Sequence, residues 1–75
     1  MTVKVAFRER YDMDDFYTNL VQESVKYIKS ASANIKALTV TIVTEPGNVE
    51  SEKIILNNIK QYLRDKEINY DIEVS

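Results

Sequence analysis

The side chains able to do acid–base or charge chemistry in this sequence are twelve carboxylates, ten Lys or Arg cations and five tyrosines, because Cys and His are both absent. Without those two residue types there is no thiolate nucleophile, no imidazole or thiolate metal site and no histidine base near neutral pH. Seven carboxylates form two groups, Glu9, Asp12, Asp14 and Asp15 near the start and Glu45, Glu50 and Glu52 beyond the middle. The first group is spaced too tightly for an EF-hand loop, which spreads its ligands over about 12 residues around a glycine. Carboxylates in the first turn of a helix already have a sufficient reason in the helix dipole, so no metal is expected. Glu45-Pro46-Gly47-Asn48 holds the only Pro and the only Gly. No Lys-Ser or Lys-Thr pair follows it, so it reads as a turn and cap, not as a P-loop or dinucleotide fingerprint. No catalytic residue or cofactor is assigned, and the chain reads as non-enzymatic.

The elements that must position these groups can be read from periodicity. Val3, Val5 and Phe7 alternate with Thr2, Lys4, Ala6 and Arg8, which predicts a half-buried strand. From Asp12 to about Ala31 the period changes, with Met13, Phe16, Tyr17, Leu20, Val21, Ser24 and Ile28 on one stripe, and Asp12 is placed as the N-cap of a long amphipathic helix. Ser30 to Lys36 is read as a polar connection. Leu38, Val40 and Ile42, alternating with Thr39, Thr41 and Val43, predict a second strand rich in β-branched residues. Asn48 can cap a helix running to about Lys66 with Ile55, Leu56, Ile59, Tyr62 and Leu63 on its buried face. Ile68, Tyr70, Ile72 and Val74 alternate to the end as a third strand.

At 75 residues and 8.7 kDa this is one domain, residues 1–75, with a composition, 44% hydrophobic and 29% charged, that supports a packed core. Helical crossovers between strands predict parallel pairing. All three strands keep a polar face, so both helices are expected on the same side of the sheet. The predicted fold is an α/β two-layer β-α-β-α-β sandwich with a three-stranded, mostly parallel sheet. Right-handed crossovers favour strand order 1-2-3. Against this order, Lys4 and Arg8 would pair well with Asp71 and Glu73 if the first and last strands were neighbours. The element order resembles the compact fold shared by the C-terminal domain of translation initiation factor 3 and small sulfur-carrier proteins. The chain lacks the carriers' cysteine, the final antiparallel strand and the factor's basic surface, so no family follows from the resemblance.

On that architecture Glu9, Asp12, Asp14, Asp15, Glu45, Glu50 and Glu52 gather at the carboxyl edge of the sheet as an acidic rim. Lys26, Lys29, Lys36, Lys60, Arg64 and Lys66 gather at the opposite edge, where a helix C-terminus favours cations. The expected function is a small regulator or inhibitor that binds a protein partner, a basic one in the case of the rim, through the rim or an exposed sheet edge. The alternative is an RNA-associated domain using the lysine-rich edge. A net charge of −2 and an open sheet face without aromatics make nucleic acid the weaker expectation. Homodimerisation is open through an edge strand or through a helix face carrying Ile54, Asn58 and Gln61, where Ile54 falls off the buried stripe. No membrane span or secretory signal is read, so the setting is expected to be cytoplasmic. Ile, Lys, Asn and Tyr supply 26 of the 75 residues, which suggests AT-rich coding in a low-GC bacterium, its phages or mobile elements, or a thermophilic archaeon.

Overall fold

The computed structural model describes residues 1–75, and its sheet overturns the expected one. Four strands, β1 (Thr2–Phe7), β2 (Ile28–Asn34), β3 (Thr39–Thr44) and β4 (Tyr70–Val74), lie in the order β2-β3-β1-β4. Every neighbouring pair is antiparallel, so the sheet is neither three-stranded nor mostly parallel. The cause is one additional strand. Ile28–Asn34, read as helix end and polar connection, forms a hairpin with β3 through a four-residue tip, Ile35 to Leu38. In this tip Asn34 Oδ1 accepts the Ala37 amide at 3.1 Å, and Leu38 takes a left-handed conformation at φ 54°.

Each crossover does join strands that run in the same direction, but an antiparallel strand is inserted between them. β3 separates β1 from β2, and β1 separates β3 from β4. The resulting β-α-β-β-α-β order is the split βαβ plan, which specifies a scaffold and no function. Strand β4 lies beside β1 with Lys4 opposite Glu73 and Ala6 opposite Asp71. The open-face charge pattern is therefore the correct guide to strand order, whereas the order 1-2-3 leaves out strand β2.

Both helices cover one face. The first, α1, begins at Arg10–Phe16 and continues through a π-helical segment, Tyr17–Val21, before a 3₁₀ turn, Val25–Tyr27, delivers the chain to β2. Glu9 occupies its N-cap position without a side-chain hydrogen bond, so Asp12 lies in the first turn and is not the cap. The second, α2 (Val49–Asp65), starts where expected, with Asn48 Oδ1 accepting the Ser51 amide at 3.0 Å. It ends in a Schellman arrangement: the Ile68 amide bonds the Leu63 carbonyl and the Glu67 amide bonds that of Arg64, with Glu67 left-handed at φ 54°.

One core results. Val3, Val5 and Phe7 of β1 and Val40 and Ile42 of β3 meet Met13, Phe16 and Leu20 of α1 and Ile55, Ile59 and Leu63 of α2, all of them buried. The α2 residues recur every fourth position, which is one face of a helix. Phe16 is the hub, 5.2 Å from the Phe7 ring centroid and 5.9 Å, edge-on, from that of Tyr62. Strand β2 adds little to this core, since it places Ala31 opposite Ile42 and Ala33 opposite Val40.

Candidate functional site

The outermost strands of the sheet are β2 and β4, and each leaves one row of backbone donors and acceptors unpaired by the sheet. β4 is short and presents Asp71 and Glu73, charges that discourage a further strand. β2 carries Ser30, Ser32 and Asn34 on the open face and Ala31 and Ala33 on the helix side, with no charge and no Pro after Lys29. Lys29 is the extra residue of a β-bulge between Ile28 and Ser30. Two exposed apolar residues flank this edge, Val25 at 67% and Ile35 at 54% exposure. Ala33 is exposed as well, although it faces the helical side of the sheet.

The charged groups do not assemble as expected. Because β3 runs antiparallel to β1, Thr44 ends beside Met1, and the turn after it lies at the end of the sheet where β1 begins. Glu52 confirms that placement, with its carboxylate 3.9 Å from the Met1 ammonium. Glu45, Glu50 and Glu52 therefore sit at one end, whereas Glu9, Asp12, Asp14 and Asp15 follow β1 at the other, so the seven residues form no single acidic rim. Asp14 is paired with Arg10 at 3.5 Å within its own helix. The lysine-rich edge divides in the same way. Lys26 and Lys29 precede and enter β2, while Lys36 lies in the hairpin tip at the far end of that strand. Arg64 and Lys66 belong to the end of α2, Lys60 to its penultimate turn, and Lys26 and Lys66 lie over the Tyr27 and Tyr62 rings at 5.1 and 5.8 Å.

Asp15 is used internally. Its carboxylate accepts the Tyr62 hydroxyl of α2 and, at 2.8 Å, the Asn19 amide, while its backbone carbonyl takes the same two donors at 3.3 and 3.0 Å. Burial, and then the hydrogen bond to the Asp15 carboxylate, push the Tyr62 phenol up to about 12. At neutral pH Tyr62 is thus a fixed donor tying α2 to Asp15 in the α-helical part of α1, and it is unsuited to act as a base.

Beside this tie the two helices leave a cleft of about 350 Å³, lined by Leu20, Glu23 and Ser24 from the α1 side and by Asn58, Gln61, Tyr62 and Asp65 from α2. Asn58 and Gln61 were expected to form an interface with Ile54. Here they line the cleft, and Ile54 is half-buried instead of projecting as an exposed apolar contact. A smaller, mainly apolar depression lies between Met1, Val49, Lys53 and Leu56. No cluster of three or more potential metal-ligating side chains occurs, and no helix is long and apolar enough to cross a membrane. Comparison with protein-family models, curated proteins and solved structures finds no match for this chain.

Sequence reasoning missed the β2 edge because its residues look like a polar linker. The signal that was present is the strict Ser-Ala-Ser-Ala alternation from Ser30 to Ala33, bounded by Asn34 as a turn residue. Ser24 was placed on the buried helical stripe, and the structure buries it to 3% exposure.

Proposed function

We propose that this chain is a small non-enzymatic interaction module of the cytoplasm that binds a protein partner by accepting an extended segment along the β2 edge. The observation that carries this reading is the contrast in protection: β4 is acidic along its open face, whereas β2 from Ser30 to Asn34 is uncharged and free of Pro. Strand addition draws affinity from main-chain hydrogen bonds, and specificity from side chains that meet alternate positions of the added strand. The partner segment suited to this edge carries apolar residues that reach Val25 and Ile35, and small or polar residues opposite Ser30 and Ser32. Such a module regulates by occupying a segment that its partner needs elsewhere.

Selection of peptides from a random display library on the immobilised full chain tests the proposal. Enriched peptides should alternate apolar and polar residues and lose binding when a central residue is changed to Pro. Ser32→Lys combined with Ala33→Lys, which places a charge on each face of an exposed strand, should abolish capture while leaving the fold intact. Peptides that bind this double variant as well as the parent would refute the assignment.

A further inference from the structure

We infer that Tyr17 is a gate on the β2 edge, holding a backbone carbonyl that an added strand must take from it. The bonding pattern of the sheet shows which groups that edge leaves open. Between β1 and β3 the Phe7 amide donates to the Leu38 carbonyl at 2.8 Å, and the Thr44 amide to the Met1 carbonyl at 3.0 Å. In an antiparallel ladder successive residues alternate between facing one neighbour and facing the other. Leu38, Val40, Ile42 and Thr44 therefore turn their backbone groups to β1, and Thr39, Thr41 and Val43 turn theirs to β2. Asn34, Ser32 and Ser30 lie opposite those three and spend their amides and carbonyls on β3. Ala31 and Ala33 are left to turn theirs to the free edge.

The Ala31 carbonyl is already engaged. The Tyr17 hydroxyl reaches it from the helical layer and donates to it at 3.5 Å. The Tyr17 ring packs against the core, which holds the hydroxyl at the rim of the sheet. Tyr17 also opens the π-helical segment of α1, a rare backbone geometry that recurs at functional sites. A separation of 3.5 Å is long for an O–H···O bond, so a backbone amide at about 2.9 Å is the better donor. The contact satisfies the carbonyl in the free chain and yields to a strand. An extended segment paired with Ala31 and Ala33 sets one amide against the Ala31 carbonyl, and the Tyr17 hydroxyl turns to water. The gate rests on strand addition at β2, and it adds to that reading the register of the added strand and a side chain that limits its affinity.

The test compares the full chain with Tyr17→Phe, which keeps the ring and removes the donor, using one display-selected peptide and its singly N-methylated derivatives. Without peptide, the Ala31 carbonyl carbon resonance should shift in Tyr17→Phe while the β4 resonances stay in place. With peptide, calorimetric titration should show Tyr17→Phe binding about two- to fivefold tighter than the parent. A purely structural role for the hydroxyl predicts the reverse, since a loosened edge binds less well. N-methylation of the one peptide residue whose amide meets Ala31 should abolish the gain, because the paired changes remove both competitors for the same carbonyl. Equal affinity of the two chains, an Ala31 carbonyl that does not shift, or a gain that survives N-methylation at every position overturns the gate and leaves strand addition standing. Failure of every selected peptide to bind either chain overturns strand addition, and the gate with it.

Discussion

The two edges of the sheet are built from opposite materials. On one side β4 sets Tyr70, Ile72 and Val74 against Phe7, Val5 and Val3 of β1, and turns Asp71 and Glu73 to the open face. On the other, β2 sets Ala31 and Ala33 against Ile42 and Val40 and shows only small polar residues on its open face. The first edge is held by bulky apolar contacts and protected by charge. The second contributes little buried area and has no charge after Lys29 to deter an added strand. Cohesion is thus concentrated around β1, β3 and the helices, which allows β2 to be the element most readily extended by a partner.

Truncation at the centre of the shared core should have the largest effect. Phe16→Ala removes the hub between Phe7 and Tyr62 and is expected to cost about 3–5 kcal/mol. Ala31→Ser, on the β2 side, should cost under about 1 kcal/mol. Urea denaturation midpoints check both, and similar losses would erase the contrast between the two sides.

Next comes the tie between the helices. Tyr62→Phe leaves the Asp15 carboxylate with one donor fewer and should cost about 1–2 kcal/mol. Its pH signature separates this loss from a packing change. The folded phenol is raised from 10.0 to about 12, so its stabilising contribution is complete below pH 10 and declines as pH rises toward 12. Denaturation across that window should show a decline in the parent that is smaller in Tyr62→Phe. Coincident slopes would contradict the assigned bond.

Smaller still, and opposite in sign, is Glu67→Gly. Glu67 holds the left-handed position of the α2 terminus, where glycine is favoured, so thermal unfolding should show a gain of about 1 kcal/mol. On the edges themselves, Asp71→Ser with Glu73→Ser should change stability by less than about 1 kcal/mol while increasing self-association. Sedimentation that stays unchanged after both charges are removed would show that they do not protect β4.

Much of this architecture was legible in the sequence wherever bulky residues alternate or recur. The β1 and β3 patterns, the α2 stripe, the Asn48 cap and the turn at Gly47 all combine local chemistry with periodicity, and they lie where those signals placed them. β2 was obscured for a physical reason. An edge strand with alanines on its inward face needs no large apolar residue, and Ile28 continued the helical stripe by position. That omission displaced the predicted charge map, since one added strand reverses the direction of every later element. The acidic rim and the lysine-rich edge depended on the parallel sheet and dissolved with it. The cleft was beyond reach because it depends on how α1 and α2 face one another, although Asn58 and Gln61 had been singled out for another reason.

Backbone amide hydrogen exchange on the full chain, with and without a display-selected peptide, tests the central claim most directly. Added protection confined to Ile28–Asn34 and its flanking residues is the predicted result. Protection that appears along Tyr70–Val74 or on the helices, with β2 unchanged, would contradict strand addition at this edge.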